Sequence, residues 1–303
     1  NEPHVPLTLD MQGRGPLQDM LRYVQSTPID AWLAQVLTTA TSAGPASLGL
    51  KLDVPLDGKE PVRLRGSVVL SGNELKLSST LPAMTAAKGR VEFTERSFNI
   101  SGGGASVLGG ESSVEGGIAN DGVLRMNVTG QVTADGLRRA PELAWLRNLS
   151  RHVQGQTSYR LQLSTQRGRL QYLLTSPLTG MAIQLPEPFT KAAEAPWPLR
   201  VQTSLAPPAA PSSSGTPSGT SSGSVIGGGA LERDVLEISL ARVLQARYGR
   251  EWGPSAEPRV ASGMVVVGST EPSSASPSMP RAGVEAQLNM PALDLDRWGA
   301  LLG

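Results

Sequence analysis

Cysteine is absent from the 303 residues, which removes disulfides, thiolate nucleophiles and cysteine-based zinc sites together. Only two histidines occur, His4 and His152, far apart and in no metal-binding spacing. His152 reads as a polar residue in the last turn of a helix. Aromatic residues make up 4% of the chain, so aliphatic side chains must carry the packing. The formal net charge is +1, and no basic run is interleaved with aromatics, so nothing draws the chain towards nucleic acid. No apolar run approaches the ~20 residues that span a bilayer as a helix, and no leader pattern of charged, apolar and small residues occurs. The β pattern is already under way at Val5, Leu7 and Leu9, and the chain reads as a segment of something longer.

Catalytic motifs fail one by one. The run Gly102 to Gly110 places Val107 where a dinucleotide fingerprint needs its third glycine, and no P-loop lysine follows. It reads instead as a tight strand connection or a bulge requiring positive φ. Glu111-Ser112-Ser113 lacks a nucleophile elbow and reads as strand-edge polarity. Asp294 and Asp296 alternate with leucines as on the wet face of a strand, with Arg297 beside them. Three glycosylation-type tripeptides, at Asn99, Asn127 and Asn148, carry little weight, since so short a pattern often arises by chance and two of them fall in predicted strands. No convergent set of titratable residues emerges; the chain reads as a non-enzyme without cofactor or metal.

What the sequence does contain is a period of two. From Pro61 to Val132 apolar residues recur at alternate positions: Val62, Leu64, Val68 and Leu70; Leu75 and Leu77; Val91 and Phe93; Leu124, Met126 and Val128. Arg63, Arg65, Lys76, Glu92, Arg125 and Asn127 fall between them, and Gly72-Asn73, Asn120-Asp121-Gly122 and Gly102 to Gly104 break the runs. This is the mark of consecutive antiparallel strands joined by tight turns. The pattern begins earlier, at Leu48 to Val54, and resumes at Leu161 and Leu163 and at Leu170, Tyr172 and Leu174, around a turn at Arg167-Gly168. It appears again at Val235 to Val243, Gly263 to Val267 and Val284 to Met290.

Helical spacing is confined to short pieces. One begins at Gly15-Pro16, a second runs from Thr27 and Pro28 to Gly44, and a third covers Pro141 to Val153, its Arg147 and Arg151 near the end that suits cations. Residues 207–229 are almost only Pro, Ser, Thr, Ala and Gly, and 269–280 repeats this on a smaller scale; both read as disordered loops. The organisation expected is a β segment over 1–206 with helices near 16–42 and 141–153, the loop 207–229, and a continuation of the sheet over 230–303.

About fifteen strands at ~4.8 Å spacing give a sheet on the order of 70 Å, which three or four short helices cannot cover. Either the sheet closes on itself as a sandwich, or its apolar face is filled from outside the chain. Acyl chains would serve, at ~0.8 kcal/mol per methylene or about 12 kcal/mol for ~15 methylenes.

The stretch Ser176-Pro177-Leu178-Thr179-Gly180-Met181-Ala182-Ile183-Gln184-Leu185-Pro186-Glu187-Pro188-Phe189-Thr190-Lys191, followed by Ala195-Pro196-Trp197-Pro198-Leu199, resembles a passage characteristic of YhdP-like proteins of the AsmA superfamily of Gram-negative bacteria. Gly15 to Leu21, Ser26-Thr27-Pro28, Gly89 to Phe93, Leu108-Gly109-Gly110 and Leu293 to Trp298 resemble their counterparts there in the same order. The resemblance implies an internal or C-proximal segment of a periplasmic bridge, anchored in the inner membrane by a region absent from this chain. Its fold would be mainly β, a long curved antiparallel sheet with an open groove and a few short helices, passing phospholipid to the outer membrane. Val62, Leu64, Val68, Leu70, Leu75, Leu77, Val91, Phe93, Leu124, Met126, Val128, Leu161 and Leu163 would then contact acyl chains. The alternative is a structural or adhesive envelope module with a closed core and no lipid.

Overall fold

The computed structural model describes residues 6–25, 39–55, 61–78, 81–166, 169–205, 232–253, 258–268, 279–290, 292 and 294–302. They form two compact units, one of Asn1–Arg200 with Ala292–Gly303 and one of Val201–Pro291. The fold is mainly β, with seventeen strands and a few short helices among the described residues, and the sheet is open rather than closed into a barrel. The loop 207–229, most of the loop 269–280, most of the expected second helix and the Arg167-Gly168 turn lie outside the described residues.

In the first unit β1 (Pro6–Pro16) pairs with β3 (Pro45–Pro55), and β3 with β4 (Arg63–Lys76), which also takes the short β2 (Thr41–Ala43) at its far end. A run of hairpins follows: β5 (Met84–Thr94), β6 (Phe98–Val107), β7 (Gly110–Ile118), β8 (Leu124–Thr133), β9 (Val153–Gln166) and β10 (Arg169–Ser176), each antiparallel to its neighbour. The start of β9 also pairs with β11 (Met181–Gln184), which pairs with β12 (Thr190–Lys191).

The two ends of these strands are built differently. At one end the β5–β6 and β7–β8 connections are tight turns. Thr94 and Ser97 close one turn through a backbone bond of 2.8 Å and a hydroxyl contact of 2.7 Å. Gly122 closes the next by donating to the Ala119 carbonyl at 2.9 Å, with Asp121 capping the Val123 amide. At the other end sit the helices. Leu17–Gln25 follows β1, and a helical segment joins β8 to β9. That segment is a helix at Ala134–Arg139, a 3-10 turn at Pro141–Leu146 and a single turn at Arg147–Ser150, so the helix expected over Pro141 to Val153 is shorter and broken, and Val153 already belongs to β9. The preceding helix was not legible because its six residues, ADGLRR, contain a glycine and too few apolar positions to show a period.

Gly136 has a packing role. A Cβ there would lie 1.7 Å from the Leu108 carbonyl oxygen, so only glycine lets this helix rest on the β6–β7 turn. The turn itself needs positive φ at Leu108 and Gly109, and Thr133 ties the two together by capping Gly136 at 3.0 Å and bonding the Leu108 carbonyl. The final helix, Leu295–Leu302, packs on Arg147–Ser150 and sets Trp298 edge-on to Phe189 at 5.8 Å. Here the alternating reading of Leu293 to Asp296 is corrected. Asp294 is a helix cap, its carboxylate accepting the Arg297 amide at 3.0 Å and pairing with the Arg297 guanidinium.

The second unit begins within β13 (Leu199–Leu205) and continues through β14 (Glu232–Leu240), β15 (Leu244–Trp252), β16 (Arg259–Gly268) and β17 (Gly283–Asn289). The β14–β15–β16 run is antiparallel and β17 adds parallel to β16. Asp234 and Arg250 stand opposite each other, joined by two hydrogen bonds of 2.7 and 2.8 Å, and Arg250 lies over the Trp252 ring at 5.7 Å. Tyr248 covers Gly263, where an added Cβ would come within 2.6 Å of the ring.

Candidate functional site

The pairing registers assemble the alternating apolar residues of the first unit into rows that cross the sheet at right angles to the strands. One row reads Met11, Leu50, Gly66, Phe93, Phe98, Ile118 and Leu124. The next begins at Leu48 and passes through Val68, Val91, Ile100 and Gly116 to Met126, Leu163 and Tyr172. A third carries Ala46 and Leu70 on one side, and Val114, Val128, Leu161 and Leu174 on the other. All lie on one face, because every second residue of a strand points the same way. The opposite face carries Arg65, Ser67, Arg90, Glu92, Asn127, Thr129, Arg160 and Gln162.

A glycine bulge keeps this arrangement intact across β6. Between Ile100 and Gly103 the register shifts by one residue, with Gly102 at φ +58°, so Gly103, Ala105 and Val107 stay on the face of Phe98 and Ile100. The glycine run is thus both the bulge and, at Gly109, the tight connection that its spacing implies. Phe93 fills the space over Gly66: a Cβ there would sit 2.2 Å from the ring. The aromatic ring replaces the missing side chain on the apolar face.

Ten of the thirteen sequence-derived positions belong to these strands and share that face in rows or beside them: Leu64, Val68, Leu70, Val91, Phe93, Leu124, Met126, Val128, Leu161 and Leu163. Leu64 pairs with Leu52 and continues to Leu9. Leu75 lies past an irregularity in β4, between Ser42 and Met84. Val62 precedes β4 and is 46% exposed. Leu77 follows β4, its carbonyl accepting the Thr39 hydroxyl at 3.3 Å.

None of the thirteen belongs to the buried core of Leu17, Ala40, Ala46, Ala87, Ile118, Ala134, Met181, Val235, Ala246 and Val266. Along β8 and β9 Leu124, Met126, Val128, Leu161 and Leu163 are half-buried, while the alternate residues Arg125, Asn127, Thr129, Arg160 and Gln162 are exposed. These five apolar residues are therefore partly sheltered by their neighbours and keep part of their surface accessible.

The helical margin is polar and locked. Ser112, read from the sequence as strand-edge polarity, is instead buried in the middle of the sheet. Its hydroxyl meets that of Tyr159 at 2.8 Å, across Gly130, which stands between them in the register. Both belong to the apolar face. Only glycine fits there, since a Cβ would lie 2.3 Å from the Ser112 oxygen. Beside them Ser176 donates to the Ser158 carbonyl at 2.7 Å and accepts the Leu178 amide at 3.2 Å, with the Thr157 hydroxyl 3.4 Å away. No sequence signal marks this group, because its members are brought together from four strands.

Three cations fasten the same margin. Lys191 is buried, its Nζ donating to the carbonyls of Met181 at 2.7 Å, Ala192 at 2.9 Å and Ala193 at 3.4 Å. Burial lowers its pKa, and Glu194 opposes that. Lys76, at the end of β4, pairs at 2.9 Å with Glu142, whose side chain is 4% exposed; the lysine hydrogen bond holds the Glu142 carboxyl below its usual range. Arg138 donates to the carbonyls of Ser150 at 3.1 Å and Val153 at 2.8 Å. These charges satisfy backbone carbonyls or a carboxylate and hold the helical segment in place.

Among the described residues no group of three or more His, Asp or Glu is placed to hold a metal ion, and no helix is long and apolar enough to cross a membrane. In comparisons with known proteins, no curated protein and no solved structure matches the chain. The family model described as YhdP protein matches residues 2–218. With more than two thirds of its length matched, and the resembling stretch Ser176 to Leu199 inside the match, the chain belongs to the YhdP protein family.

Proposed function

We propose that this chain is a length of a periplasmic bridge whose apolar face shields the acyl chains of phospholipids passing between the inner and outer membranes, without chemistry of its own. The observation that carries the reading is the set of apolar rows across the first unit, uncharged and only partly buried at most positions, on a sheet whose other face carries Arg65, Arg90, Glu92 and Arg160. From β1 to β10 the hydrogen-bonded order contains nine strands, so eight spacings of ~4.8 Å give an apolar width of ~38 Å. A face of that size left in water would be an aggregation surface; acyl chains cover it at about 0.8 kcal/mol per methylene. Membership of the YhdP family supports the cell-envelope setting and the lipid cargo. The candidate contacts are Val62, Leu64, Val68, Leu70, Leu75, Leu77, Val91, Phe93, Leu124, Met126, Val128, Leu161 and Leu163. The test is to purify the protein without delipidating detergent and measure phospholipid per chain by mass spectrometry. Stoichiometric phospholipid is expected; a lipid-free protein that stays monodisperse overturns the reading.

A further inference from the structure

The apolar face has two unlike margins. At the turn end Leu7, Leu9, Val62 and Leu170 are 47%, 41%, 46% and 39% exposed. At the helical end of β7, β9 and β10 the same face finishes in buried hydroxyls, Ser112 at 7%, Thr157 at 3% and Ser176 at 7% exposed. A lipid is polar at one end only, so an apolar face with one polar margin imposes a direction on it. We infer that a lipid lies on this face with its ester and phosphate end at the Ser112–Tyr159 hydroxyl pair and its tails running towards Leu124 and Leu170; this rests on the lipid-shielding reading above.

Counting donors singles out that pair. Two hydroxyls that share one hydrogen bond spend one of their two protons, and the bond at 2.8 Å is the one that Ser112 and Tyr159 make among the described residues. One O–H donor is left over at the edge of the apolar face, where an unmet donor is costly. An ester carbonyl or phosphate oxygen is an acceptor that the acyl part of a lipid lacks. The neighbouring Ser176 does not compete, since it is already engaged by the Ser158 carbonyl and the Leu178 amide. Tyr159 remains half-buried rather than sealed. The Ser112–Tyr159 bond also spans three adjacent strands, which fixes the donor in place before any ligand arrives.

The experiment uses two photoreactive phospholipids, one with a diazirine next to the headgroup and one with a diazirine at the acyl terminus, loaded onto the whole protein and mapped by peptide mass spectrometry. The headgroup probe is expected to label peptides around Gly130 and Tyr159, and the tail probe those around Leu124, Leu163 and Leu170. In the double variant S112A/Y159F, headgroup labelling at this margin falls about tenfold, the loss of one hydrogen bond, while tail labelling stays within about twofold. Circular dichroism and a melting curve confirm that the variant is folded. Labelling of both margins by both probes, or an equal fall in both labels, refutes the assigned direction while leaving lipid shielding standing. Absence of labelling by either probe removes the lipid reading itself, and this one with it.

Discussion

Replacing Leu161 by Asp separates the two faces of the sheet by a single residue. Leu161 stands between Val128 and Leu174 in the third apolar row, half-buried in the protein alone. An acyl chain lying along β9 has about four methylenes within reach of one side chain, roughly 5 Å of the ~6.7 Å between successive residues on the same face of a strand. A carboxylate at that point keeps its water, so those methylenes are re-exposed at a cost of about 3 kcal/mol, which is about a hundredfold in lipid affinity. The fold suffers less, because the lost cross-strand contacts with Val128 and Leu174 amount to about 1 kcal/mol each at most. Gln162→Asp, one residue on and exposed on the other face, is the matched control. The assay is phospholipid bound per folded chain by quantitative mass spectrometry, with melting curves alongside. Equal lipid in the two variants would refute the assignment of faces.

Other expectations concern what holds the face in shape. Gly66→Val drives a side chain into the Phe93 ring and is expected to destabilise the first unit by about 1–3 kcal/mol in denaturant titration. Glu142 has its pKa lowered by Lys76, so the pair's contribution is complete above the ordinary glutamate value and is lost as pH falls through the depressed one. Glu142→Gln is therefore expected to flatten the acid limb of a melting-temperature profile below pH 4.5. Asp234→Ala strips the carboxylate from Arg250 and is expected to cost about 3–5 kcal/mol, whereas replacing both partners with apolar residues of similar size comes close to neutral.

The period-two pattern of Leu124 to Val132 and of Leu161 and Leu163 made the strands and their apolar face legible, because one side chain in two repeats over enough residues to exclude a helix. The face of Gly103, Ala105 and Val107 was not legible by counting. A bulge at Gly102 inverts the alternation there, and nothing in a glycine-rich stretch says where the extra residue falls. Asp294 was misread for a related reason: four alternating residues suit a strand and a capped helix start equally well, and the Arg297 bonds decide between them. Ser112 read as strand-edge polarity because its partner Tyr159 lies 47 residues away and Gly130 gives no hint in sequence of the hydroxyls that cross it. The division of the strand ends into a turn margin and a helical margin follows from an even alternation of hairpins. It became visible only with the register.

The central claim is that one face of this sheet meets acyl chains and the other meets water, and alternate positions of one strand test it most directly. A photocrosslinking amino acid is placed in turn at Arg160, Leu161, Gln162 and Leu163 of β9, the protein is irradiated in cells, and lipid adducts are counted by mass spectrometry. The account predicts phospholipid adducts at Leu161 and Leu163 and none above background at Arg160 and Gln162. Adducts spread evenly over the four positions, or absent from all of them, would contradict it.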